Sequence, residues 1–198
     1  MLKVIQITDT HLSEPGQTLW GMDPYKRLEA AFEDIRTFHS DARACVISGD
    51  LTDSASPEAL LWIKDYLADF PISTYLMIGN HNVRSVFFDV FQSYPKDANG
   101  FLKYSFNLTE AQFLCLDTKK DQPGSSGQYC AKRVTWPENE LKKPPRICTF
   151  LCIAHLLKLV SHKWTGSSSM KQRNLGIWSL VTRMSNTSSL AMSTDQSF

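Results

Sequence analysis

Three short segments place residues able to hold cations at intervals along the chain: Asp9-Thr10-His11, Gly49-Asp50 and Gly79-Asn80-His81-Asn82. Carboxylates, imidazoles and an amide carbonyl are donor types that suit divalent ions such as Mn, Fe or Zn. An aspartate between two ions can bridge them, and two ions roughly 3.5–4 Å apart activate a water and clamp the oxygens of a phosphoryl centre. Each segment alone has an ordinary explanation. A strand-end Asp commonly forms a turn or caps a helix, and an isolated His is commonly a surface or packing residue. Three such segments, each closing an apolar run, make metal binding the stronger reading.

The elements that must carry these residues are legible around them. Val4-Ile5-Gln6-Ile7, Ala44 to Ser48 and Thr74 to Ile78 are β-branched or apolar runs of strand length, stopped respectively at Thr8-Asp9, Gly49-Asp50 and Gly79-Asn80. Between them, Leu28, Ala31, Phe32, Ile35 and Phe38 recur at helical spacing after Pro24, a residue suited to a first turn. Ser56-Pro57-Glu58 opens a second helix whose apolar face includes Leu60, Leu61, Ile63, Tyr66 and Leu67. Val86 to Phe91 predicts a short helix, and Lys103 to Asn107 with Gln112 to Leu116 a hairpin. Strands alternating with helices predict an α/β fold with a largely parallel sheet at its start. Ligands of open α/β sheets bind at the carboxyl ends of the strands, so Asp9, His11, Asp50, Asn80 and His81 are expected to converge on one crevice. The glycines before Asp50 and Asn80 permit sharp backbone turns there.

The 198 residues, 42% hydrophobic and 21% charged, are enough for one domain with a real core and do not have a disordered composition. No apolar run reaches the roughly 18 residues of a membrane span. The opening Met-Leu-Lys-Val-Ile-Gln lacks the form of a secretory signal, so a soluble cytoplasmic protein with no membrane partner is expected. Five cysteines, an odd number without framework spacing, argue against a disulfide scaffold. The oligomeric state is not readable.

Asp9-x-His11, Gly49-Asp50 and Gly79-Asn80-His81 together resemble the calcineurin-like metallophosphoesterase superfamily, closest to its bacterial glycerophosphodiesterases and class III cyclic-nucleotide phosphodiesterases. The resemblance covers about residues 3–141. It implies a sandwich of β-sheets flanked by helices, two divalent metal ions (Mn, Fe or Zn) and hydrolysis of a small-molecule phosphodiester by metal-activated hydroxide. By the same resemblance Asp9 and His11 bind the first metal, Asp50 bridges both and Asn80 binds the second. His81 stands beside the leaving-group oxygen as proton donor or electrostatic stabiliser. The family usually has Asp at the position of Asn82, where it is thought to hold the adjacent His, so weaker activity is expected from the amide. Family members also carry a later strand-end His and a Gly-His-x-His; only His155 and His162 follow here, and the second half of the fold is expected to be incomplete.

Charge breaks at the same place. Residues 1–140 carry 19 acidic against 13 basic side chains, whereas residues 141–198 carry eight basic residues and a single acid, Asp195. Reading the last base of each codon with the first two of the next permits a Met-His-Arg-Pro-Pro from residues 147–160 and a Gly-His-Val-His from residues 186–198, in family order. The expectation is a frameshift near Lys142-Lys143, with residues 1–143 the phosphoesterase domain and residues 144–198 an out-of-frame or poorly ordered tail. The enzyme is then expected to be impaired. The alternative is a non-catalytic binding protein whose genuine basic tail contacts nucleic acid or a membrane surface; its charges are scattered without a helical stripe, which disfavours that reading. Thr149 to Ala154 reads as a strand, and no regular structure is assigned from Ser161 onward. The Cys148/Cys152 pair lacks a partner pair for a zinc site.

Other residues have two readings each. Asp53 either orients a ligand or starts the next helix. Asp117 faces the site or, the preferred reading, forms a turn. Arg84 contacts a phosphate or is a solvated charge. His39 is read as surface. Trp20, Tyr25 and Phe32 are expected to include core aromatics, and the segment Ser13 to Met22 to form a rim over the substrate.

Overall fold

A computed structural model describes residues 2–109, 111–121, 127–128, 130–141, 147–151 and 178–183 of the chain, the last two segments as backbone. Strands β1 (Lys3–Thr8), β2 (Ala44–Ser48), β3 (Thr74–Leu76) and β7 (Trp178–Arg183) form one sheet in the order β3-β2-β1-β7. Its three pairings are all parallel. Strands β4 (Tyr104–Leu108), β5 (Ala111–Cys115) and β6 (Ile147–Leu151) form a second sheet in which β4–β5 is antiparallel and β5–β6 parallel. Helices α1 (Pro24–Phe38), α2 (Pro57–Ala68), α3 (Arg84–Val90) and α4 (Ala131–Leu141) complete the described elements.

The period-two alternation of a strand assigns each face of the first sheet to a different core. Ile5, Ile7, Cys45 and Ile47 pack with Leu28, Phe32, Ile35, Leu60 and Ile63 of α1 and α2. Val4, Ala44, Val46 and Met77 pack with Phe106, Ala111, Phe113 and Cys115 of the second sheet. The Tyr75 ring stacks on Phe106 with 3.5 Å between centroids, and Phe106 stacks on Phe113 at 4.9 Å. Being covered on both sides is why β2 is buried at all five positions and reads as a continuous apolar run. The result is two face-packed sheets with helices on the outer face of the first, the sandwich that the family resemblance implies. Among the described residues no helix is long and apolar enough to cross a membrane.

Helix starts follow their capping residues. Asp23 accepts from the amides of Tyr25 and Lys26 at 3.0 and 3.3 Å, with Pro24 following. Ser56 accepts from the Ala59 amide at 3.2 Å ahead of Pro57. The helix over Ala131–Leu141 has no counterpart in the sequence reading. Pro137 within it, beside Val134 and Thr135, masks the helical signal. β6 begins two residues before the expected strand; residues 152–154 lie outside the described ones, as do His155 and His162. β7 lies where the sequence pattern predicts no regular structure. Its Trp-Ser-Leu-Val-Thr-Arg is β-prone, but serines surround it and hide the period, and pairing with β1 decides its conformation.

Candidate metal centre

The hydrogen-bond ladder between β1 and β2 does not stop where the strands do. The Asp9 amide donates to Ser48 O, the His11 amide to Asp50 O, the Leu12 amide to Leu51 O and the Asp53 amide to Leu12 O, all between 2.8 and 3.0 Å. These bonds lock the two strand-end loops in register and bring Asp9 and His11 beside Asp50 and Asp53. Following that path puts Asp9 and His11 at φ of 55° and 44°, a left-handed conformation that non-glycine residues seldom adopt and that collects at functional sites.

The glycines are required by close approach. A Cβ on Gly49, itself at φ 83°, would run into the Asp9 carboxylate, and one on Gly79 would run into the Asp50 carboxylate and the Gly49–Asp50 backbone. The third loop is tied to the second by Asp50 Oδ1, which accepts the His81 amide at 2.8 Å, and by Asn82. Asn82 is 1% exposed, and its Oδ1 accepts from the amides of Leu51 (3.1 Å) and Gly79 (3.0 Å) while its Nδ2 donates to Thr52 Oγ1 (3.0 Å). This corrects the expectation for that position: the residue 82 side chain clamps two loops together. The hydrogen bonds of the His81 ring go elsewhere, to Asp53.

Asp53 serves both imidazoles. Its Oδ1 lies 3.3 Å from His11 Nδ1 and 3.5 Å from His81 Nδ1, and its backbone carbonyl lies 2.8 Å from His81 Nδ1. Carbonyl and carboxylate oxygens only accept, so both rings carry their proton on Nδ1 and turn Nε2 toward the centre. Ser56 caps α2, which leaves Asp53 with the orienting role of its two readings.

His11, Asp50 and His81 thereby offer ligand atoms within 4.8 Å of one another. Asp50 Oδ2 stands 3.9 Å from His11 Nε2 and 4.0 Å from His81 Nε2. Burial raises the Asp50 carboxyl above its ordinary range, opposed by the His81 amide and the two imidazoles and assisted by Asp9. A carboxylate so placed, with two imidazole nitrogens about 4 Å away, offers a donor set that fits a divalent cation. Asp9 adjoins the group, its Oδ1 accepting the Asp50 amide at 3.3 Å. Asn80 is placed by its backbone carbonyl, which accepts Lys119 Nζ at 2.9 Å.

Lys119 was not legible as part of this region; only its closeness to Asp117, at the end of β5, hints at it. Its pKa is lowered by burial and by Arg84, against the pull of Asp117, Asp50 and Asp121. Arg84 is not a solvated charge. Its Nε and Nη2 donate to the two Asp117 oxygens at 2.7 and 2.8 Å, and Nη1 pairs with Asp121. Asp117, 4% exposed, also accepts the Leu102 and Lys119 amides at 3.0 and 3.1 Å, so it is a buried hub and more than a turn residue. Trp20 departs from the core-aromatic expectation. It is 58% exposed and meets His11 edge-on at 5.8 Å between ring centroids.

Similarity to known proteins agrees with this arrangement. The model of the calcineurin-like phosphoesterase family matches residues 2–169. A probable cyclic nucleotide phosphodiesterase of Rhodopseudomonas palustris is 32% identical, over 78% of this chain and 57% of that protein. The 3',5'-cyclic adenosine monophosphate phosphodiesterase of Escherichia coli K12 is 26% identical over 88% of this chain and 62% of its own length. A probable glycerophosphodiester phosphodiesterase of Arcobacter nitrofigilis is 24% identical, over 77% and 56%. The chain thus spans less than two thirds of these three relatives. Matched along most of its own length, and with His11, Asp50 and His81 of its strand-end motifs grouped within 4.8 Å, the chain belongs to the calcineurin-like phosphoesterase family.

Proposed function

We propose that the protein is a metal-dependent phosphodiester hydrolase acting on a small molecule, either a 3',5'-cyclic nucleotide or a glycerophosphodiester. The observation that carries this is the Asp50 carboxylate set between the Nε2 atoms of His11 and His81, with Asp53 holding both rings from behind. The relatives' names, all phosphodiesterases, favour catalysis over a binding module. Two divalent ions (Mn, Fe or Zn) would be held by Asp9, His11, Asp50 and Asn80, with Asp50 shared between them. Bound there, such ions supply an acidified water and neutralise charge on the phosphoryl oxygens.

The chain's own residues do the rest. Asp53 presents the His11 Nε2 lone pair by fixing its Nδ1 proton. His81 keeps its Nδ1 on the Asp53 carbonyl and turns Nε2 toward the departing oxygen, as proton donor or electrostatic stabiliser. Asn82 and Gly79 hold the His81 loop against the Asp50 loop, so the donor's distance from the site is set by buried bonds. Free thiols at Cys45, Cys115 and Cys130 suit a reducing compartment, supporting a cytoplasmic place.

We further propose that residues beyond about Lys143 are read out of frame and that the chain as written is a weak enzyme. Strands β6 and β7 do not oppose this, since strand formation asks only for β-prone residues beside a free edge. Sequencing the gene from the Glu140 codon onward checks it: the alternate frame should spell the missing Gly-His-x-His. Hydrolysis of bis(p-nitrophenyl) phosphate with added Mn tests the activity. The expected result is slow turnover, well below the roughly 10 s⁻¹ median of enzymes, that chelation and Asp50→Asn both abolish. Turnover that survives chelation or Asp50→Asn overturns the mechanism.

A further inference from the structure

Trp20 is a large apolar ring placed where burial does not explain it. It stands 58% exposed at the tip of a turn, whereas Tyr25 and Trp62 pack edge-to-face against each other at 5.0 Å and against the core. The turn is tight and closed on both sides: the Leu19 amide donates to Met22 O at 2.8 Å and the Met22 amide to Leu19 O at 3.0 Å. Its two central residues, Trp20 and Gly21, have φ of 52° and 77°. Two successive left-handed residues are the pattern that Asn-Gly ordinarily fills, because a Cβ is unfavourable at the first of them. A tryptophan there is strained and exposed at once.

The surrounding chain holds this unfavourable placement rigidly. Tyr25 Oη donates to Ser13 O at 2.7 Å, Ser13 Oγ donates to Gln17 O at 2.8 Å, and Leu12 and Asp53 tie the start of the segment to the second loop. The Trp20 ring then meets His11, and His11 meets His81 at 5.0 Å between centroids, so three rings run in series out of the Asp50 crevice. A ring in this position offers a flat apolar face one side chain away from where a phosphoryl group would sit.

We propose that Trp20 is the stacking platform for an aromatic base, so that the crevice selects a nucleotide phosphodiester over a glycerol one. The proposal rests on the hydrolase reading above and names its substrate class. Stacking suits the geometry because any base has a π-face and the platform needs no hydrogen-bond register to receive it.

The test compares wild type, Trp20→Ala and Trp20→Phe, each Mn-loaded. KM and kcat are measured with 3',5'-cyclic AMP and with glycerophosphoethanolamine, and calorimetry measures the affinities for 5'-AMP and ribose 5-phosphate. Trp20→Ala should raise KM for cyclic AMP about 5- to 150-fold, the span that loss of one base–aromatic stack produces, with a much smaller change in kcat. The ratio of AMP to ribose 5-phosphate affinity should fall by a similar factor, and Trp20→Phe, which keeps a ring, should recover most of both. Equal losses on both substrates would overturn the proposal in favour of a packing role against His11, and an unchanged affinity ratio would overturn it outright. Absent turnover with base selectivity intact, and lost in Trp20→Ala, would strike the hydrolase reading alone. Absent base selectivity in the wild type would strike the platform.

Discussion

At the scale of single residues, the centre depends on groups that never touch substrate. Asp53 is the clearest: one carboxylate oxygen and one backbone carbonyl set the proton positions of two imidazoles. Partners of this kind commonly govern metal affinity or activity by 10- to 100-fold. Asp53→Ala should lose about that much in a Mn titration, and Asp53→Asn, which keeps an acceptor oxygen, should lose less. Trp20 makes the opposite case, a residue whose placement opposes stability. Replacing it with glycine relieves a left-handed Cβ, worth about 1 kcal/mol. Trp20→Gly should therefore melt a few degrees above the wild type in a thermal scan, although it removes the proposed platform.

At the scale of elements, the loops after β1, β2 and β3 are joined as firmly as the strands before them. Asn82 is the joint between the second and third loops. Asn82→Ala leaves the buried amides of Leu51 and Gly79 without their acceptor, at about 1–3 kcal/mol each, and urea unfolding should show the loss. Asn82→Asp keeps both acceptor contacts and lets the Thr52 hydroxyl donate in return, so it should be milder. The turn leading into β4 carries a pH-dependent contribution. Burial raises the Asp97 carboxyl, but Lys103, at 2.6 Å, and the Phe101 and Asn99 amides outweigh it and hold the group below its ordinary 3.8. The native state then binds fewer protons than the unfolded one just below that value, so the contribution is complete above it and is lost as pH falls through the lowered pKa. The stability gap between wild type and Asp97→Asn should be full at neutral pH and close as the pH falls below about 4. Helices α1 and α2 were legible because their caps, Asp23 and Ser56, each stand before a proline and an apolar period. The α4 helix was not, because Pro137 contradicts the local pattern and contacts made in the fold override it.

At the scale of the whole molecule, the two sheets and the crevice are braced by one buried charge cluster. Asp117 takes two donors from Arg84 and lies 3.8 Å from Arg133, and both guanidinium groups lie over the Phe101 ring, at 5.2 and 4.1 Å. The same cluster reaches the centre through Lys119 and the Asn80 carbonyl. Removing the carboxylate takes from Arg84 its two-point partner and from the buried Arg133 its neighbouring counter-charge. Asp117→Ala should cost about 3–5 kcal/mol, read by denaturant unfolding, and should weaken Mn binding as well.

Local chemistry made a good part of this protein readable before any fold was known. Apolar runs of strand length, amphipathic periods and capping residues depend on neighbours in the chain, so the alternation of β1, α1, β2, α2 and β3 could be read in order. Donor chemistry at the strand ends marked Asp9, His11, Asp50, Asn80 and His81. Only the tertiary structure decided which partner each group takes. Asp53 and Asn82 stand near the same histidine in space and have similar side chains, yet the first holds the imidazoles and the second the backbone. That choice is made between loops more than twenty residues apart in the chain, and local sequence carries no record of their distances. The exposure of Trp20 was settled in the same way, by a turn geometry that its residue type opposes and that the closed ring of hydrogen bonds around it imposes.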